Sequence, residues 1–348
     1  MHKISQFKNG YEIAHQKLET GMGSRLKFKL KRTLVISFVN IVLIAQAIAA
    51  FPDKSLTMEI AFAPGGATDI SGRILGVALA KQLGQQVIIE NRPGGGGAIA
   101  ANYVKSAKPA NGYTLLFTSS VYVVTPSLIK PSPYDPIKDF MPVCEVGAAP
   151  NVVVVRTDSK IQTIADLIKL AKTDPGLVSF GSPGTGTTPH LAGEIIKHRE
   201  NINMTHIPYK GAGPAMIDLM GGRTQVLVGS LASVMSEIQA GQVRAIVQTG
   251  AQRWPDLPNV PTTTEAGIKD AVSVTFQAVF VASGTPPEIV TQLSNDCVAV
   301  LKQPEMIEKM KRVGLEVTAY DSDGLKARVA REVPLWKDVI EKAGIKEQ

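Results

Sequence analysis

The chain has few aromatic residues: Phe, Trp and Tyr make up 5% of its 348 residues. Base-stacking platforms for nucleic acid need exposed rings, and few are available here. Two cysteines and five histidines are present, and none of them clusters at metal-site spacing. Only His190, His198 and His206 lie beyond residue 49. No Gly-x-Ser-x-Gly elbow occurs, and no nucleophile has a base identifiable from spacing. A basic stripe is also lacking. The net charge is +7, but residues 1–49 carry eight Lys/Arg against two Glu, which leaves the rest close to neutral. Nucleic-acid binding is therefore not expected. No internal repeat and no low-complexity segment interrupts the chain.

The concentrated charge has its own explanation. Arg25–Arg32 forms a basic stretch, Leu34–Ile44 an apolar run of about a dozen residues, and Ala47-Ile48-Ala49 a small-x-small site. This predicts a Sec-type signal peptide over residues 1–49, cleaved near Ala49/Ala50, with Met1 or Met22 as the start. A membrane anchor is the alternative, but the run is short for a span and ends in small residues. Export to an oxidising compartment permits a disulfide between Cys144 and Cys297. Two separate buried thiols are the preferred reading, because Cys297 shares a helical stripe with Ile289, Leu293 and Val300/Leu301.

Beyond the signal, short β-rich runs alternate with helical ones, which argues an α/β fold with largely parallel strands. Strands are expected at 57–63, 86–90, 114–118, 152–155, 178–181, 204–207, 225–229, 244–249 and 274–281. Thr163 with Asp166 reads as a capping box, and Thr188-Pro189 and Gly213-Pro214 as helix starts. Thr285-Pro286-Pro287-Glu288 reads as a fourth start by the same capping logic. The proline-rich stretch 131–142 reads as a surface excursion, and Pro334 should break or kink the last helix.

The most informative segment is Pro64-Gly65-Gly66-Ala67-Thr68-Asp69, which leaves a short apolar strand and enters a helix. Such a loop turns backbone N–H groups and a positive helix end toward one point, which is an anion site needing neither metal nor arginine. Asp69 is expected to order this loop, and a Cβ at Gly66 to crowd a ligand or to forbid the loop's dihedrals. Further motifs follow in order: Leu83–Gly94 (LGQQVIIENRPG), Asn111–Leu115, Gly184-x-Gly186 with His190–Glu194, Pro208–Gly211, and Pro258-x-Val260-Pro261-Thr262 with Glu265–Gly267. Together they resemble the Bug family, periplasmic solute receptors of tripartite tricarboxylate transporters, over residues 55–345.

The resemblance implies a two-lobed type II periplasmic-binding-protein fold with the ligand cleft between lobes. It places lobe 1 at 50–152 and 275–348 and lobe 2 at 153–274, with strand crossings near 149–155 and 272–277. It implies a monomer that binds a small carboxylate, needs no cofactor, and delivers its ligand to membrane permease subunits.

The candidate site residues fall into groups. The first is Pro64, Gly65, Gly66, Ala67, Thr68 and Asp69. The second is the loop Ser182, Gly184, Thr185, Gly186, Thr187 and His190, where His190 either supports the helix start or meets ligand. The third is Tyr209, Lys210 and Gly211, in which Lys210 brings the one formal positive charge unless it points to water. Ser119, Ser120 and Ser230 end strands where open α/β sheets hold ligands. The run Gly94–Gly97 mimics a dinucleotide fingerprint. The acidic ribose partner about 20 residues on is missing, however, and the run reads as a signature away from the ligand. Two rivals remain: a secreted α/β enzyme acting on a small carboxylate, and a nucleotide-binding protein.

Overall fold

The computed structural model describes residues 51–269, 271–342 and 345. The expected signal peptide lies outside these residues. From Lys54 onward the chain forms one unit. Its elements are β1 (Leu56–Ile60), α1 (Ala67–Leu83), β2 (Val87–Asn91), α2 (Ala98–Ser106), β3 (Thr114–Ser119), α3 (Val121–Leu128) and β4 (Phe140–Arg156). Next come α4 (Ile164–Thr173), β5 (Ser179–Ser182), α5 (Thr188–Glu200), β6 (Thr205–Pro208), α6 (Ala212–Met220), β7 (Val226–Ser230), α7 (Met235–Gln239) and β8 (Val243–Gln248). The chain ends with β9 (Val274–Ala282), α8 (Pro287–Leu301), α9 (Pro304–Arg312), β10 (Glu316–Tyr320) and α10 (Ser322–Lys342).

The alternation expected from the sequence is present, and the strands form one sheet in two parts. The first part runs β2-β1-β3-β9-β4, and the second runs β4-β7-β5-β6. The β2-β1-β3 and β7-β5-β6 ladders are parallel, whereas β9 is antiparallel to both β3 and β4. β4 is shared. Phe140 to Pro150 pair with β9, then Asn151 to Val154 pair with β7 and Val152 to Arg156 with β8. Each part has its own apolar core. Tyr122, Phe276, Phe280 and Trp336 anchor the first, and Phe180, Leu167, Ile196 and Val228 belong to the second.

Close helix-on-sheet packing positions the first loop. A Cβ at Gly72 would lie 2.8 Å from Ile60 Cδ1, and one at Gly76 2.9 Å from Ile89 Cδ1. Glycine inside a helix costs about 1 kcal/mol relative to alanine. Here it lets α1 settle directly on β1, β2 and β3.

Several expectations need correction. Cys144 and Cys297 are not separate thiols but a disulfide joining β4 to α8 across 153 residues of sequence. The helical stripe gave the burial of Cys297 but could not show that β4 presents Cys144 to the same face. Residues 131–142 are not simply a surface excursion. Tyr134 is buried against Tyr122, the Tyr122 hydroxyl donates to the Pro136 carbonyl (2.6 Å), and β4 has already begun at Phe140. Pro142 is tolerated inside β4 because the ladder shifts register between Pro142 and Cys144, where a missing N–H costs least. α10 contains Pro334 without breaking there. At α8 the Thr285 hydroxyl donates back to the Ala282 carbonyl and does not cap the helix. The capping box at Thr163 and Asp166 is present.

Candidate functional site

Three strand-to-helix loops converge between the two parts of the sheet. In the first, Asp69 is buried and works on its own loop. Its Oδ2 accepts the Gly65 N–H (3.0 Å), and its Oδ1 accepts from Arg73 Nε and Asn91 Nδ2 (both 2.9 Å). Burial alone would raise this carboxyl, but hydrogen bonds from Arg73, Asn91 and the Gly65 N–H hold it below its usual value. Asn91 Nδ2 also reaches the Phe62 carbonyl, while Arg92 pairs with buried Glu59 (2.5 Å) and covers the Tyr103 ring. The Glu90-Asn91-Arg92 run therefore braces the first loop from behind.

α1 then begins without a side-chain cap at Gly66. The dihedrals of Gly66 (φ −94°, ψ 170°) are open to any residue, and a Cβ there would meet Ala212 at 3.5–3.7 Å, ordinary contact. The expectation that the loop's dihedrals exclude a side chain at Gly66 does not hold. The close approach is made instead by glycines of the facing loop. A Cβ at Gly213 would lie 2.8 Å from the Pro64 carbonyl oxygen, and Gly211 (φ 147°) sits with its Cβ position 3.3 Å from Ala63 N. Ala63 N–H donates across to the Lys210 carbonyl (3.0 Å).

The second loop is held by its own hydrogen bonds. Ser182 Oγ contacts His206 Nε2 (2.7 Å), Thr187 Oγ1 donates to the Gly184 carbonyl (2.8 Å) and accepts the His190 N–H (3.3 Å). His190 Nδ1 accepts the Gly186 N–H (3.2 Å), so that nitrogen carries no proton. Burial, then the neighbouring His206 and Lys197, push the His190 pKa down to about 3. His190 is a neutral support for the loop.

Two cavities result. The inner one, about 350 Å³ of atom-free space with its open mouth included, is lined among others by Gly66, Ala67, Thr68, Ser119, Thr187 and Ser230. None of its lining residues is charged. The outer one, about 690 Å³, is lined by Gly184, Thr185, Tyr209 and Lys210 facing Gly94–Gly97. The glycine run, expected to stand apart, thus faces the second and third loops. The exposed Lys210 side chain belongs to the outer cavity and brings no charge to the inner one. Pro64, Gly65, Asp69, Ser120, Ser182, Gly186, His190 and Gly211 line neither.

Two uncapped helix ends face the inner cavity from opposite parts of the sheet: α1, beginning at Ala67, and α6, beginning at Ala212. The third neighbouring helix, α5, is capped by Thr187. Both open ends present the positive pole of a helix and free N–H groups, a geometry suited to an anion.

The sequence reading missed Thr275, Gln277 and Ser233, which also line the inner cavity. Thr275 and Gln277 share the face of β9 opposite to Phe276, Ala278 and Phe280, which lie in the first core. The signal was a lone glutamine within the apolar strand VTFQAVFVA. Thr275 also belongs to a buried chain of polar side chains joining the parts: Ser120 Oγ to Thr188 Oγ1 (3.2 Å), Thr188 to Thr275 Oγ1 (2.5 Å), and Thr275 to Asn151 Oδ1 (2.6 Å). Asn151 Nδ2 continues it to Ser273 Oγ (3.0 Å), just before β9.

Comparison with known proteins gives consistent answers. Protein BugT of Bordetella pertussis is 32% identical over 326 residues, covering 91% of this chain and 99% of BugT. Among solved structures, the periplasmic binding protein BugD aligns at TM-score 0.82 and 32% identity, covering 86% of this chain and all of BugD. R. palustris Rpa4515, solved with adipate, aligns at 0.82 and 33%, covering 85% of this chain and 99% of that one. The fold is therefore the α/β periplasmic-binding-protein type expected from the sequence. Residues 72–345 match the family described as "Tripartite tricarboxylate transporter family receptor", and the chain belongs to that family.

Proposed function

We propose that this protein is an exported periplasmic receptor that binds one small carboxylate between two lobes, residues 50–152 with 275–348 and residues 153–274. It then hands the ligand to the permease of a tripartite transporter. The observation that carries this reading is the convergence of two uncapped helix N-termini on one cavity whose lining holds no charged side chain. Each helix end favours an anion by about 0.3–2 kcal/mol; Gly66, Ala67 and Thr68 on one side and Ala212 on the other line the cavity, and in this reading their amide N–H groups hold the carboxylate. The adipate held by the R. palustris relative supports the same ligand class. The lobes close because contacts come from both. The protein acts as a monomer after removal of its signal peptide, without cofactor or chemical turnover.

The enzyme reading has one feature to offer, the Ser182–His206 pair at 2.7 Å. Ser182 is wholly buried, is committed to the Gly184 backbone, and lines neither cavity, so no substrate reaches its hydroxyl in this conformation. The pair supports the loop.

A thermal-shift screen of the mature protein against small carboxylates, with product analysis of the samples, tests the proposal. At ligand about a hundredfold above Kd, stabilisation of about 2.7 kcal/mol corresponds to a rise of about 4 °C for a chain of this size, with the ligand recovered unchanged. A conversion product, or no shift with any carboxylate, overturns it.

A further inference from the structure

Gln277 stands out within the inner cavity. Its side chain is fully buried on β9, register-paired with Ser119 on one side and Gly147 on the other, and it lines the cavity beside Ser119, Ser230 and Thr275. Neither its Oε1 nor its Nε2 has a hydrogen-bond partner among the described residues, and the same holds for Ser230 Oγ. A buried amide left unsatisfied at both ends is costly, and an apolar residue would pack in a strand this apolar without that cost. Since no charge lies in the cavity wall, the amide has no ion to oppose.

Building on the receptor reading, we propose that Gln277, with Ser230, is the specificity-determining group of the site, and that it reads a hydroxyl on the ligand. A carboxylate only accepts, so it satisfies Nε2 but sets oxygen against Oε1. An ammonium group only donates, so it satisfies Oε1 and leaves Nε2 unmet. A hydroxyl does both, and exchanging Oε1 and Nε2 leaves this conclusion unchanged. The carboxylate goes to the two helix ends, the hydroxyl to Gln277. The ligand class is a hydroxycarboxylate. Discrimination comes from the cost of an unpaired buried group when the hydroxyl is missing, which is how a polar site rejects the analogue lacking its partner.

The test is isothermal titration of the mature wild type and of Gln277→Leu with two matched pairs, malate with succinate and lactate with propionate. In at least one pair the wild type binds the hydroxy acid about tenfold or more tightly than its counterpart, the scale of one buried hydrogen bond. Gln277→Leu brings that ratio to within about threefold, by losing affinity for the hydroxy acid. Gln277→Met serves as the second apolar variant, and both should melt at or above the wild-type temperature. Loss of the fold in both variants shows that Gln277 is structural and overturns the proposal. A wild type without preference for the hydroxyl, or a variant that keeps the preference, overturns it while leaving the receptor reading intact. Binding of none of the four acids removes the hydroxy-acid class, and the broader carboxylate screen then decides the receptor reading separately.

Discussion

In the proposed two-lobed receptor, replacing Gly213 with alanine separates the stability of one lobe from the closure of the two. Gly213 sits in the first turn of α6, where alanine is the better helix former by up to about 1 kcal/mol. Across the cleft, its Cβ would lie 2.8 Å from the Pro64 carbonyl oxygen, a distance that real Cβ atoms essentially never show. The obstacle is backbone and cannot swing away. Overpacking of this kind costs about 1–3 kcal/mol, and under the proposed lobe closure it is felt only when the lobes are closed. Gly213→Ala is therefore expected to leave the unliganded melting temperature unchanged or raised while weakening carboxylate binding by about 5- to 150-fold. Calorimetric titration with a carboxylate from the screen, alongside melts of the free protein, reads both quantities. Wild-type affinity in Gly213→Ala would refute the idea that ligand binding requires this close approach.

Other perturbations follow from the same structure. Replacing Cys144 and Cys297 together by alanine removes a bridge spanning 153 residues. The expected loss of about 2–4 kcal/mol lowers the melting temperature by about 3–6 °C, and an unchanged melt counts against the pairing. The His190 pKa falls to about 3 in the folded chain, below the ordinary value of 6.5, so the unfolded state takes up its proton first as pH drops. The contribution is fully present above pH 6.5 and is lost between pH 6.5 and 3. By pH 5 the wild type should lose about 2 kcal/mol more than His190→Gln, and parallel pH profiles of denaturant stability would argue against a neutral His190. Lys210→Ala removes an exposed side chain of the outer cavity, so carboxylate affinity should change by less than about tenfold, and abolished binding indicates a charge-based site.

Much of this organisation is legible in local sequence. Asp69 beside Gly65-Gly66, the capping box at Thr163 and the strand-to-helix loops each depend on residues within a few positions of one another. The long-range features are not. β4 runs for 17 residues through Pro142 and Pro150, and its first half is hidden because a proline there reads as a loop unless the bulged partner strand is known. The disulfide depends on which face of β4 meets α8. Gln277 lies in the strand expected at 274–281, where nothing local beyond the lone glutamine singles it out as a site residue, and its importance appears once Ser119, Ser230 and Thr275 are seen around it. The cleft glycines were legible as glycines. Their order of importance was not, since Gly66 has open dihedrals while Gly213 faces the Pro64 carbonyl across the cleft.

In the proposed receptor, backbone amides at two facing helix ends hold the carboxylate. Amide chemical-shift perturbation in the mature, isotope-labelled protein tests it most directly, by titration to saturation with a carboxylate that binds. The amide signals of Gly66, Ala67 and Thr68 and those of Ala212 and Gly213 are expected to move together to lower field as they bond to the anion. The Lys210 side chain should show no comparable change. Saturation that leaves these five amides unmoved, with the largest changes at charged side chains, would contradict it.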